Sequence, residues 1–195
     1  MKEILEIARQ NQQKAFEVIR KTKLIEAWES IGAEVNLVGS LKTGLLMKHR
    51  DIDFHVYTSS LNISESFRAV SLLAENSRIV RIEYSNLIDT DEKCIEWHAW
   101  YCDENDETWQ IDMIHILKGS YYDGYFERMA ERINEVITRQ QRECILRLKY
   151  ETPDGEKIPG VEYYVAVIRD NVNNYLDFEA WRGKYSTGRI IEWIP

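Results

Sequence analysis

Residues 51–58 read Asp-Ile-Asp-Phe-His-Val-Tyr-Thr, a β-branched and aromatic run that predicts a strand. Side chains i and i+2 of a strand share a face. Asp51 and Asp53 therefore project side by side, and Ile52, Phe54 and Val56 form an apolar face behind them. A chain with this strand has to bury one face of a sheet and find a use for two adjacent carboxylates on the other. Two such groups repel, and both stay ionised at low cost only with a cation between them. A hard divalent ion that prefers oxygen ligands, such as Mg2+, answers that need. The bare Asp-x-Asp tripeptide is common and more often marks a solvated strand edge, so the surrounding sequence has to decide.

The order of elements narrows the fold. Residues 2–32 carry apolar side chains at helical spacing (Ile4, Leu5, Ala8, Ala15, Phe16, Ile19, then Leu24, Ile25 and Trp28), with Gly32 as the stop. Val35 to Val38 predicts a short buried strand ending in a Gly39-Ser40 turn. Asn62, with Glu65 three residues on, marks the cap of a helix carrying Phe67, Val70, Leu73 and Ala74. Strands are expected over 78–84, 94–102 and 108–116, the last two joined as a hairpin by the polar turn Asp103-Glu104-Asn105-Asp106. Helical spacing returns over 122–149 and again over 161–184, where Asp170 and Asn171 are a candidate interruption. Residues 152–160 form a loop holding two of the three prolines. The expectation is an α+β fold with a mixed sheet over 1–117 and a helical C-terminal region over 118–195.

Gly39-Ser40 adds the second chemical element. Glycine allows close backbone approach, and a turn leading into a helix offers N–H groups to phosphate oxygens. A phosphate seat followed by a carboxylate pair that can hold a metal is what phosphoryl chemistry requires. The run Val38-Gly39-Ser40, ten residues, then Asp51-Ile52-Asp53-Phe54 resembles the signature of the nucleotidyltransferase superfamily, the DNA polymerase β-like fold. Gly44 falls where small members carry a second glycine. Lys48-His49-Arg50-Asp51-Ile52-Asp53 is similar to the aminoglycoside and lincosamide nucleotidyltransferases. One departure is Thr43, where many minimal members have Arg; Lys42 or Lys48 then becomes the candidate phosphate-side cation.

The resemblance implies a third carboxylate on a later strand. Asp112, within Trp109-Gln110-Ile111-Asp112-Met113-Ile114, is the first choice, because an ionisable group among apolar neighbours is costly without a partner. Glu96 and Glu83 are its rivals. The implied site has Asp51, Asp53 and Asp112 as catalytic and metal-binding acids, and Gly39, Ser40 and Lys42 on the nucleotide. It uses one or two Mg2+ ions and ATP or another NTP. The implied reaction moves a nucleoside monophosphate, AMP in the first instance, to a hydroxyl of a small molecule or other acceptor, and releases pyrophosphate. The alternative is a nucleotide-binding or interaction protein of the same fold without the chemistry.

Composition bounds the partners. With 25 basic and 33 acidic side chains the formal charge is −8, which disfavours a long nucleic-acid partner and suits a small or cationic acceptor. The N-terminal residues show no secretory pattern, and Cys94, Cys102 and Cys144 lack metal-site spacing. Both points fit a cytoplasmic protein with reduced thiols and no membrane partner. His98 is expected to be packed and hydrogen-bonded, His115 structural and His49 on the surface. Tyr121, Tyr122, Tyr125, Trp181 and Tyr185 are expected in the core or at an interface, and Glu127 and Glu131 on a solvated helix face.

Overall fold

The structure, a computed structural model, describes residues 1–186 and 191–195. A five-stranded mixed sheet is built from β1 (Glu34–Val38), β2 (Asp51–Thr58), β3 (Ile79–Leu87), β4 (Cys94–Cys102) and β5 (Thr108–Leu117), in the order β1-β2-β5-β4-β3. Among the described residues only the β2–β5 pair is parallel. The helices are α1 (Lys2–Thr22), α2 (Leu24–Glu29), α3 (Gly39–Lys42), α4 (Ile63–Ala74), α5 (Tyr125–Val136), α6 (Arg139–Glu151), α7 (Gly160–Tyr164), which runs on into a π-helical turn over Val165–Arg169, and α8 (Tyr175–Tyr185). The expected α+β class, mixed sheet and order of elements along the chain are thus present.

The alternation read from the sequence sorts the two faces of the sheet. Ile52, Phe54 and Val56 of β2, Trp109, Ile111 and Met113 of β5, and Ile95, Trp97 and Ala99 of β4 are buried in one cluster with Val18, Leu24, Trp28, Val70 and Leu73 of the helices behind them. The other face carries Asp51 and Asp53, Gln110 and Asp112, and Glu96 and His98. His115 points into the packed face as expected. It is bonded to Ser66 Oγ (3.1 Å) and Thr58 Oγ1 (2.7 Å), and burial pushes its pKa down to about 4. A second apolar cluster joins Ala8 of α1, Leu45 and Met47 to Ile133, Ile145, Leu148, Tyr163, Tyr164, Phe178 and Trp181.

The three long helical stretches are each broken. Lys23 takes a left-handed conformation (φ 51°) and divides residues 2–32 into α1 and α2. The apolar stripe runs on through Leu24 and Trp28 to the same core, so periodicity does not reveal the bend. Residues 122–149 divide at Ile137, after which Thr138 and Gln141 form a reciprocal capping box for α6. The third break falls at Asp170 and Asn171, and α8 restarts at Asn174, whose side chain accepts from the Asp177 N–H. Asn62 caps α4 by accepting from the Glu65 N–H at 3.1 Å, and β3 runs on to Leu87, past the expected end.

Glu131 is exposed as expected, but Glu127 is mostly covered. Its Oε1 accepts from Tyr57 OH at 2.7 Å. Burial works to raise its pKa, and His55, 3.7 Å from Oε2, together with the Tyr57 hydrogen bond outweighs this and lowers it. The three cysteines are free thiols, and among the described residues no helix is long and apolar enough to cross a membrane.

Trp28 is fully buried, and its indole N–H donates to Met113 Sδ at 3.3 Å across the helix–sheet interface. Trp28→Ala is expected to destabilise the fold by roughly 3–5 kcal/mol, read from denaturant unfolding. A loss below about 1 kcal/mol would show that this contact does not anchor the core.

Candidate active site

The parallel β2–β5 ladder places Asp53 opposite Asp112 and Asp51 opposite Gln110. Adjacent strands lie about 4.8 Å apart, so two acids distant in sequence become neighbours. The same row continues from Asp112 to His98 on β4 and Glu83 on β3. Glu96, the rival third acid, lies opposite Ile114 in the next row. Register therefore puts Asp112, and not Glu96, beside the Asp pair.

Each carboxylate is held differently. Asp53 accepts from the Ser40 N–H, and burial together with Asp112 and Asp51 raises its pKa to about 7. Burial, with Asp112 adding to it, also raises Asp51. Gly39 stands at φ 66°, and a Cβ at this position would fall inside the Asp53 carboxylate. Glycine is thus required here by the close approach of the turn to the acid. On Asp112, Oδ1 accepts from His98 Nδ1 (2.6 Å) and Gln110 Nε2 (2.9 Å). The bond to Asp112 raises the His98 pKa. His98 was expected to be a packed, hydrogen-bonded histidine; its partner is a site acid.

Two cavities open on either side of Asp53. One, of about 340 Å³, is lined by His49, Asp51, Gln110, Lys149 and Lys157 among others. The other, of about 390 Å³, is lined by Gly39, His55, Asp112, Ile114, Phe126 and Tyr164 among others. Asp53, Pro159 and Gly160 border both, so the 152–160 loop folds back as the rim between them.

Lys42 does not reach the carboxylates. In the single turn of α3, Leu41 and the following Thr43 are buried, which turns Lys42 to solvent, and it lines neither cavity. Lys48 pairs with Asp154 at 2.7 Å. A second helix brings cations to the turn: Arg142 of α6 donates to Thr43 O and Gly44 O, and Lys149, only 7% exposed, reaches Ser40. The Lys149 Nζ donates to Ser40 Oγ (2.8 Å), Leu45 O (3.1 Å) and Tyr164 OH (3.4 Å). Among the described residues it makes no salt bridge, although its charge acts on both Asp51 and Asp53. A buried cation without a direct ionic partner is costly unless an anion completes the site. The sequence did carry a signal for it: Lys149 follows Ile145 by four residues on the buried stripe of α6.

The donor set suits a hard divalent cation, with crowded carboxylate oxygens whose ionised form burial and mutual repulsion disfavour. The three acids do not close around a single point. Among the described residues the His, Cys, Asp and Glu groups with three ligand atoms within 4.8 Å of one another are limited to Glu92, Cys94 and Glu96. Asp51, Asp53 and Asp112 instead lie along the cleft, with Asp53 tied to the Ser40 turn and Asp112 to His98 and Gln110.

No family model and no curated protein sequence matches the chain. Solved structures do. The Cid1 poly(U) polymerase with MgGTP bound is 15% identical over 85% of this chain and 55% of its own, with a TM-score of 0.57. The non-canonical poly(A) polymerase complex GLD-2–GLD-3 is 11% identical over 97% of this chain and 67% of its own, also at 0.57. A cytoplasmic RNA terminal U-transferase is 13% identical over 85% and 50%, at 0.52. The chain thus spans about half the length of the first of these. At such identities the likeness is one of fold: the chain has the polymerase β-like nucleotidyltransferase fold.

Asp53 holds a proton more tightly in the fold than in the unfolded chain. Its contribution to stability is therefore present at low pH and lost as pH rises from about 4 to about 7. His115, lowered to about 4, works the other way over nearly the same window, so the comparison has to be made between variants. The stability advantage of Asp53→Asn over wild type should widen as pH rises through this range, and Mg2+ above pH 7 should narrow it by stabilising wild type alone. Denaturant unfolding at several pH values measures this, and an advantage that does not vary with pH would contradict the burial argument.

Proposed function

We propose that the chain transfers a nucleoside monophosphate from a nucleoside triphosphate to an acceptor hydroxyl and releases pyrophosphate. The observation that carries this reading is the row Asp53–Asp112 with Asp51 beside it, facing a buried Lys149–Ser40 pair across the Gly39 turn. One or two Mg2+ ions, held by Asp53 with Asp51 or with Asp112, would supply charge neutralisation at the triphosphate. Lys149, Ser40 Oγ and Lys157 stand where they can bind phosphate oxygens. Gln110 and His98 fix the Asp112 carboxylate, leaving it to complete a metal position or to accept the proton of the attacking hydroxyl. The acceptor oxygen then bonds to the α-phosphorus as the bond to pyrophosphate breaks. The helices after residue 118 contribute Lys149, the 152–160 rim and Tyr164, and we assign them as one wall of the cleft.

ATP is the donor to test first. We assign the acceptor as a small hydroxyl compound, neutral or cationic. Glu96 lies on the open sheet face beside His98, and the chain carries a charge of −8. Both features disfavour a phosphate backbone at that surface. The similar solved structures are of RNA-tailing polymerases, so an oligoribonucleotide belongs among the acceptors tried. We assign a cytoplasmic setting, in keeping with the three free thiols.

A second reading, a nucleotide-binding protein without turnover, is favoured by the open spacing of the three acids. Labelled ATP, Mg2+ and a panel of small hydroxyl acceptors and oligoribonucleotides separate the two. Wild type should label an acceptor, and Asp51→Ala/Asp53→Ala should abolish labelling. His98→Ala should lower it by roughly 10–100-fold, the usual cost of losing a residue that orients a metal-binding group. Equal labelling by wild type and the double variant would remove the assignment. Mg2+-dependent ATP binding without pyrophosphate release would establish the second reading.

A further inference from the structure

β3 lies at the outer end of the sheet, and among the described residues no strand pairs with its far side. An open strand edge offers unpaired N–H and C=O groups to another chain, and proteins usually guard it with proline, charged side chains, a β-bulge or a cover; the bulge of β3 falls at Val80, near its start, and residues 81–87 pair with β4 in unbroken register. β3 runs nine residues, Ile-Val-Arg-Ile-Glu-Tyr-Ser-Asn-Leu, and contains no proline. Its two charges, Arg81 and Glu83, cancel by pairing with each other, and the Arg81 guanidinium lies 4.4 Å from the Trp100 ring centroid. Apolar side chains stand open along the same edge. Val80, at the bulge, is 64% exposed, and Tyr84 and Phe67, with ring centroids 4.9 Å apart, are 37% and 46% exposed.

We propose that β3 pairs antiparallel with β3 of a second copy of this chain, centred on Ile82, joining the two five-stranded sheets edge to edge. In that register Arg81 of each copy lies opposite Glu83 of the other, within the part of β3 that keeps regular pairing. Opposite charges directly across an antiparallel pair stabilise it, and like charges destabilise it. A two-fold pairing centred on Arg81 would set Arg81 against Arg81, and one centred on Glu83 would set Glu83 against Glu83. The two charges therefore select one of the three neighbouring registers. A two-fold contact requires a segment complementary to itself, and Arg81-Ile82-Glu83 is such a segment. This favours a second copy over an unrelated strand as the occupant. The inference is independent of the chemistry assigned to the cleft.

Sedimentation velocity of the full chain over a wide concentration range tests it, with circular dichroism to confirm that each variant is folded. Wild type should sediment as a dimer. Arg81→Glu alone and Glu83→Arg alone each place like charges across the two-fold axis and should give monomers. The double variant Arg81→Glu/Glu83→Arg restores opposite charges and should dimerise again. A wild type that stays monomeric at every concentration would overturn the proposal. So would a dimer that survives both single reversals, or a folded double variant that remains monomeric.

Discussion

The architecture of the site depends on like charges being forced together. The parallel β2–β5 ladder fixes Asp53 opposite Asp112, and the alternation of β2 puts Asp51 on the same face. Nothing local to either strand compels this contact. It follows from burying Ile52, Phe54, Val56, Trp109, Ile111 and Met113 on the other side. A one-residue slip of either strand would turn its apolar set outward. The core thus supplies the energy that holds three acids in one cleft, and the raised pKa of Asp53 is the local sign of that cost.

What surrounds the acids is arranged to offset the crowding. The Gly39 turn brings the Ser40 N–H to Asp53, His98 and Gln110 bond to Asp112, and Lys149 places a buried positive charge beyond Ser40. Each arrangement leaves some anionic or cationic demand unmet. Lys149 has hydrogen bonds but no salt bridge among the described residues, and the carboxylates share no single cation-sized point. Both deficits are of the kind that a metal-bound triphosphate would satisfy.

The sequence showed the strands well because a two-residue period and β-branched composition are local properties. The shared face of Asp51 and Asp53 was legible for the same reason, whereas a third acid is what the resemblance implies, with Asp112 the choice because an ionisable group in an apolar strand needs a partner. The helix breaks were harder to see. Lys23 bends the chain while the apolar stripe continues, so the period carries no mark of it, whereas Thr138 with Gln141 three residues on does mark the start of α6 in the sequence. Lys42 was favoured by proximity along the chain, yet a one-turn helix that buries Leu41 and Thr43 leaves Lys42 no route inward. Lys149 reaches the same turn from a helix far along the sequence. His98 and Glu127 acquire their partners, Asp112 and Tyr57, only through strand pairing and helix docking, which local patterns do not encode.

The most direct measurement of the central claim is the position of a bound ion. Crystals grown with Mn2+ and a non-hydrolysable ATP analogue, recorded at the manganese absorption edge, would report it. The account predicts an anomalous peak at ligand distance from Asp53 and at least one of Asp51 and Asp112, with the analogue's phosphates reaching Ser40 and Lys149. An ion found only at Glu92, Cys94 and Glu96, or phosphates seated away from Lys149, would contradict it.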